Sequence, residues 1–373
     1  MSKRPIFRLI PYRLLPGVDW VLITITLSLI ALGILTLWGA SSLGEGPVPL
    51  IGEARKQCLW AMMGLLTLPV LILFDYRRLR RSVWVLYGVL LVLLVGLLIK
   101  AHAIKGARSW YDLGFVNFQP SEAGKIIIVL ALAHYLAGRA LVFRGLRQTA
   151  IPLLIVGGPI LLIMAQPDLG TAVVLVPISG AMFWVAGIRK SVVVLFVFVG
   201  VAGALLAYPH FRPHQKERIK TFLNPGADPL KGGWHIHHAK TALGSGELLG
   251  KGWGQGTQTR FRFLPEYKTD FIFPTIGEQF GMLGCSLVLV LLTLVIWRLA
   301  RLAAVTQELF GLFVIAGLTA MLATHIIFNV GMSVGLMPVT GLPLPFFSYG
   351  GSFMLTCMVS IGLALSIGAR RDL

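Results

Sequence analysis

The sequence predicts an all-α integral membrane protein with about ten transmembrane helices and one long outer loop between the seventh and eighth. Three observations predict it. Of 373 residues, 56% are apolar and only 13% charged, whereas a water-soluble domain carries about a quarter charged residues. The mean hydropathy is +0.81. The apolar residues are also gathered into nearly charge-free runs, most of them close to the ~20 residues that cross a bilayer as a helix. The same figures exclude intrinsic disorder, which needs low hydrophobicity and high charge. A net charge of +18 would suggest nucleic acid on a soluble protein. Here it follows from the Lys and Arg that membrane proteins collect in cytoplasmic loops, and no nucleic-acid partner is expected. Cys58, Cys285 and Cys357 lie in or beside apolar runs and offer neither a disulfide framework nor metal-ligand spacing.

The spans are placed near 19–39, 58–74, 82–100, 121–138, 150–166, 169–187, 191–208, 271–297, 309–333 and 349–368. The first apolar run, Trp20 to Leu43, is too long for a signal-peptide core and lacks a small-residue cleavage site after it, so no cleaved leader is expected. Arg77, Arg78, Arg80 and Arg81 separate the second span from the third, and Pro167-Asp168 precedes the sixth. From Leu309 to Ala369 there is no Asp, Glu, Lys or Arg; the stretch still divides into two spans, because Pro338, Pro343 and Pro345 with Gly341 interrupt it. With the N-terminus inside, the inner segments hold seventeen Lys and Arg, against five in the shorter outer segments (Arg55, Lys56, Lys100, Lys105 and Arg108). That bias places both termini in the cytoplasm.

Residues 209–270 differ in kind: a polar stretch of 62 residues with ten Lys/Arg, five Asp/Glu, five Pro and nine Gly. Long loops are exempt from the orientation bias, and a loop of this length is usually functional or a small subdomain. Its "GSGELLGKGWGQGTQ" (Gly244–Gln258) resembles a phosphate loop in composition but lacks the Walker spacing. The "HIHH" of His235–His238 has no carboxylate or Cys at ligand spacing and reads as a loop histidine cluster, so metal ligands stay unassigned.

Charges at bilayer depth are expensive and therefore informative. Glu122 and Lys125 open the fourth span three residues apart and share a face; they read as a self-neutralising ion pair or as substrate-handling groups. Asp168 reads as an N-cap of the sixth span or as a site residue. Glu278 sits two turns into the eighth and needs a partner that the sequence does not identify. In "FLPEYKTDFIF" (Phe263–Phe273), Glu266, Lys268 and Asp270 cluster where the outer loop re-enters the membrane. Asp270 is the last charge before apolar sequence: an interfacial anchor or helix cap, or a base strengthened by partial desolvation, with Lys268 acting the other way. Lys105 and Arg108 stand beside Trp110 and Tyr111, and the segment reads as a routine interfacial aromatic belt or as a place where the two cations receive a lipid-linked phosphate, Arg in bidentate geometry.

Five blocks, "KGARSWYDLGFVNFQPSEAGK", "AQPDLGTA", "NPGADPLKGGWHIHHAKTALGSGELLGKGWGQGTQ", "FLPEYKTDFIF" and "GLPLPFFSYGGS", resemble in order the signature blocks of the SEDS family, the RodA/FtsW proteins, over essentially the whole chain. Asn224–Gly246 and the following "GKGW" resemble the elongation branch more than the division branch. The resemblance implies a peptidoglycan glycosyltransferase in the bacterial cytoplasmic membrane. Such an enzyme polymerises lipid II at the outer face for elongation and rod shape. Its expected partners are a class B penicillin-binding protein, the transpeptidase, and other membrane proteins of the elongation complex. It implies Asp270 as the catalytic residue, Glu122 and Lys125 as a supporting acid and base, and the family's "QPD" aspartate at Asp168. The expected mechanism has Asp270 as general base on an acceptor hydroxyl, inversion at the donor, and the leaving diphosphate stabilised by Lys105, Arg108, Arg212, Lys216 and Arg218. Asp168 and Glu266 complete the expected substrate-binding set. No tightly bound cofactor is expected; a divalent cation, Mg or Mn, would assist as it does with many diphosphates. Two positions depart from the family pattern: Lys268 stands where the family has His, and Gln279 where it has a second Glu. The rival readings are a lipid II flippase and a non-catalytic scaffold.

Overall fold

The structure, a computed structural model, describes residues 15–42, 51–100, 109–112, 117–138, 146–187, 194, 198, 209, 213–223 and 232–371. The chain runs through α1 (Trp20–Ser42), α2 (Ile51–Leu73) and α3 (Leu79–Lys100) into a two-stranded hairpin. There β1 (Tyr111–Asp112) pairs antiparallel with β2 (Asn117–Phe118), Tyr111 opposite Phe118. Then follow α4 (Pro120–Ala137), α5 (Leu146–Ala165) and α6 (Leu169–Val185). The 209–270 connection holds α7 (Pro213–Leu223), α8 (Gly232–Ser245) and α9 (Thr257–Arg260), before α10 (Ile272–Val305), α11 (Leu309–Ser333) and α12 (Gly351–Gly368). Among the described residues, seven helices are long and apolar enough to cross a membrane, and Ala150–Ala165 and Leu169–Val185 are shorter apolar helices. The seventh span expected at 191–208 lies outside the described residues except for 194 and 198.

Local chemistry sets the helix starts. Pro120 sits at the first turn of α4, where its missing N–H leaves no bond unmade. Asp168 caps α6 by accepting from Thr171 N at 3.1 Å, and Glu308 caps α11 by accepting from Gly311 N at 2.6 Å. Two boundaries differ from expectation. Helix α2 begins at Ile51, so Arg55 and Lys56 lie in its first turns, and α10 continues to Val305, taking in Arg298 and Arg301. In both cases terminal charges reach water from inside a helix, so the absence of charge marks the buried core of a span and not its ends. The histidines expected in a loop lie on α8.

In α4 and α12, 78% of the spanning window is buried, against 22% in α2, α3 and α10. The first two therefore form the interior of the bundle and the other three its apolar rim. At one end, here the far face, Gly17 packs on Ala369, Arg298 pairs with Asp19 at 2.7 Å, and Arg370 donates to Leu73 O at 2.9 Å. The described parts of the 209–270 connection, the strand pair and residues 338–350 lie at the other end, the loop face.

Helix α10 is broken at Gly281, whose φ of 64° and ψ of −160° are non-helical. A break in a spanning helix frees backbone groups that need partners. The glycine-rich segment provides them: Glu247 O and Leu248 O accept from Met282 N at 2.8 Å and Leu283 N at 3.2 Å. Lys251 N and Gly252 N donate to Glu278 O at 2.9 Å and Gln279 O at 3.1 Å. Gly246 and Gly250 pass against the backbone of Gly277 and Gln279 with no room for a Cβ. The composition that resembled a phosphate loop thus serves a backbone clasp.

Candidate active site at the loop face

Asp270 lies in the tight turn before α10. Glu266, at a φ of 50°, turns its carbonyl to accept the N–H groups of Thr269, Asp270 and Phe271, each at 3.1 Å. This is the local reason the chain re-enters the bundle here. The segment 341–350 is stitched to that turn. Ser348 Oγ donates to Thr269 O at 2.6 Å and accepts from Leu344 N, while Tyr349 N donates to Lys268 O at 2.8 Å. Gln57 of α2 donates to Ser348 O at 3.1 Å and accepts from Gly350 N at 3.3 Å. Gly341, at a φ of 75°, brings its backbone so close to the Asp270 carboxylate that a Cβ there would stand 3.3 Å from Oδ2. Asp270 is half-buried.

Helix α11 grips both strands of this arrangement. Asn329 Nδ2 donates to Asp270 O at 2.9 Å and to Leu342 O at 2.8 Å. One turn earlier, His325 Nδ1 is 3.0 Å from Pro343 O, and its Nε2 is 3.0 Å from Lys125 Nζ. Lys125 pairs with Glu122 Oε1 at 2.8 Å and lies 5.3 Å from the Phe353 ring centre; it is fully buried, and Glu122 Oε2 is buried with no hydrogen-bond partner. Lys268, at the position that departs from the family, puts its ammonium 2.6 Å from Glu53 Oε1, which compensates its charge. Burial, then the nearby Glu53 carboxylate, pushes the Tyr267 and Tyr349 phenols up, with Arg262 opposing at Tyr267; both remain neutral.

The other expected residues divide three ways. Glu266 builds the turn, and its Oε2 accepts from Thr269 Oγ1 at 3.3 Å. The Asp168 carboxylate accepts from Thr171 N, Thr171 Oγ1 and Gln119 Nε2, so it caps α6 and ties it to α4. Arg218 reaches the site's edge, donating to Thr340 O at 3.4 Å, and Lys216 donates to Pro209 O at 2.7 Å. Lys105, Arg108 and Arg212 lie outside the described residues. Glu278 accepts from Lys251 Nζ, Thr257 Oγ1, Gln258 N, Thr259 N and Thr259 Oγ1, anchoring α9 and the clasp. Among the described residues, no three His, Cys, Asp or Glu side chains are grouped to hold a metal ion.

Sequence reasoning missed His325, Asn329 and Gln57, and it read His235, whose ring stacks on Phe271 at 6.1 Å, only as part of a loop cluster. A signal existed for two of them: His325 and Asn329 stand four apart in the charge-free stretch 309–369, on one helix face.

Fold and site define a multi-pass membrane protein whose polar groups converge on a half-buried aspartate at one face. Residues 19–372 match the family of FtsW, RodA and SpoVE, described as "Cell cycle protein", and the chain belongs to that family. It is 36% identical to the Escherichia coli K12 protein named peptidoglycan glycosyltransferase MrdB, over 95% of this chain and 94% of that one. A solved chain from work on the structural coordination of polymerization and crosslinking by a peptidoglycan synthase complex superposes with a TM-score of 0.80 at 30% identity, over 95% and 98% of the two chains. The rod shape determining protein RodA of Thermus thermophilus superposes with a TM-score of 0.72 at 30% identity, over 95% and 98%.

Proposed function

We propose that this chain is a peptidoglycan glycosyltransferase that polymerises lipid II at the outer face of the bacterial cytoplasmic membrane, in the elongation machinery. The loop face is the outer face, and both termini are cytoplasmic. The observation that carries the reading is Asp270 itself: a half-buried carboxylate on a turn fixed to 341–350, at the end of the molecule where the long basic connection lies. Asp270 takes the proton from the acceptor sugar's 4-hydroxyl as that oxygen forms a bond to the donor's anomeric carbon. The bond from that carbon to the diphosphate breaks with inversion, and the diphosphate leaves with the electron pair. Arg218, at the rim beside Thr340, together with Lys105, Arg108, Arg212 and Lys216, attracts the anionic substrate and stabilises the leaving group. The diphosphate itself would supply most ligands for any Mg or Mn, and no step depends on one.

A flippase would share one feature, the broken helix, since transporters bind substrate at such breaks. Here residues 247–252 already occupy the exposed backbone groups, which favours chemistry at the face over passage through the bundle. A class B penicillin-binding protein is the expected transpeptidase partner, with other elongation-complex proteins. The test is glycan polymerisation from labelled lipid II by wild-type and Asp270→Asn protein, each with and without the transpeptidase. Polymer from wild type and a loss of about a hundredfold or more in a folded Asp270→Asn variant are expected. Equal polymer from both would remove Asp270 as the base. Flipping of lipid II without polymer, even with the partner present, would favour the flippase.

A further inference from the structure

We infer that the buried Glu122–Lys125 pair acts on Asp270 as a positioning relay, through His325 and the 341–343 backbone, and does not touch substrate. The inference rests on the reading of Asp270 as the base. Lys125 is wholly buried and Glu122 is 5% exposed, so neither presents its charge to a ligand. Two of the ammonium's three donors have partners inside the bundle, Glu122 Oε1 at 2.8 Å and His325 Nε2 at 3.0 Å, and the Phe353 ring centre lies 5.3 Å away.

Pro343 O can only accept. His325 Nδ1, 3.0 Å from it, therefore carries the ring proton, which leaves the Nε2 lone pair for the lysine. The histidine thus joins the ion pair to the backbone of 343 in a single tautomer. The adjacent carbonyl, Leu342 O, is held by Asn329, whose amide also holds Asp270 O. The residue before it, Gly341, lies beside the Asp270 carboxylate, where an added Cβ would stand 3.3 Å from Oδ2. From Lys125 to Asp270, by way of Asn329, each link is thus a hydrogen bond or one peptide unit.

Helix geometry makes the relay rigid. His325 and Asn329 are four residues apart on α11, so both grips come from one face of one helix. The arrangement also gives a reason for an expensive feature. A buried ion pair contributes little net stability, and this one leaves Glu122 Oε2 without a partner. Placing a base accurately is worth more to turnover than the pair is to folding.

The experiment uses the full chain in complex with its transpeptidase and measures kcat and KM for lipid II. The variants are Lys125→Met, His325→Phe, the Lys125→Met/His325→Phe double and His325→Gln, with Asp270→Asn in parallel. Glutamine offers both an acceptor for Lys125 and a donor for Pro343 O. Each of the first two variants is expected to lower kcat by about ten- to a hundredfold, with KM within about twofold. The double variant is expected to lose no more than the worse single, because residues that act as a unit are not additive. His325→Gln is expected to recover kcat to within about threefold of wild type. Multiplied losses in the double variant, a rise in KM for Lys125→Met, or equal defects in His325→Gln and His325→Phe would each overturn the relay. Hydrogen exchange at residues 341–350 covers poorly folded preparations: faster exchange confined to that segment in Lys125→Met supports the relay, and unchanged exchange there overturns it. An active Asp270→Asn enzyme would instead remove the base, a result distinct from any failure of the relay.

Discussion

Glu278 shows how a carboxylate at membrane depth is made tolerable. Its five donors include two backbone N–H groups at the start of α9 and the Lys251 ammonium, so no lone pair needs water. Replacing it with Gln removes the charge from those bonds and leaves an amide N–H₂ facing donors. We expect Glu278→Gln to lose about 3 kcal/mol, read as a lower thermal midpoint in detergent, with Glu278→Asp intermediate. A midpoint equal to wild type would mean that the clasp holds without it. His235 gives a pH dependence. Burial against Phe271 pushes its imidazole below the ordinary value of 6.5; Glu266 opposes this, and Arg218 and His238 add to it. The folded state thus favours the neutral ring, and the unfolded chain takes up a proton first. The stability that this ring contributes is complete above about pH 6.5 and is lost as pH falls below it. The thermal midpoint of wild type should therefore drop between about pH 7 and about pH 5 more steeply than that of His235→Phe; parallel slopes would assign the effect to another group. Asp270 and the Glu122–Lys125 pair were legible in the sequence because a formal charge among apolar residues is conspicuous. His325 and Asn329 were not, since a neutral polar residue in a span has many ordinary explanations until its partners are known.

At the scale of elements, the decisive joint is the break in α10. Gly281 combines a φ of 64° with direct backbone contact to Gly250 and Leu248. An alanine there would face both the left-handed conformation and a steric overlap with backbone that is itself hydrogen-bonded. We expect Gly281→Ala to lose about 3 kcal/mol or more, and to loosen residues 246–260 before the rest of the bundle. Hydrogen exchange checks this: uniform protection across that segment would show that the break is not held by the clasp. Hydropathy could locate α10 but not its break, because Gly281 is one glycine among 42 and only its backbone angles distinguish it. The same limit applies to α7, α8 and α9. Their residues are polar enough to read as loop, and they are helical because Ala239, Ala242 and Ile236 of α8 are buried among their neighbours. Tertiary contact, rather than local pattern, determines that.

For the whole molecule, hydropathy and charge placement were enough to give a helical membrane bundle, since a bilayer leaves few solutions to the backbone. They could not show which helices lie inside it. Helices α4 and α12 are mostly buried and α2 is mostly not, yet all three are long and apolar enough to cross a membrane. The far face carries Asp19, Asp75, Arg298 and Arg370, and the loop face carries Lys268, Arg218 and Asp270. If the loop face is extracytoplasmic, single cysteines placed at Leu249 and at Arg371 in a chain lacking its native cysteines should label oppositely with an impermeant maleimide on intact cells. Leu249 is 76% exposed and should react, while Arg371 should react only after lysis. Labelling of both, or of Arg371 alone, would reverse or break the topology. The stitching of Asp270 to Ser348 and Leu342 also fixes a moment in the life of the chain. At a ribosomal rate of about 5–20 residues per second, those partners emerge roughly 4–16 s after Asp270 does. Through that interval the nascent protein is already threaded into the membrane with Asp270 unheld. A ribosome that stalls before residue 341 therefore leaves an inserted protein in which Asp270 lacks these partners.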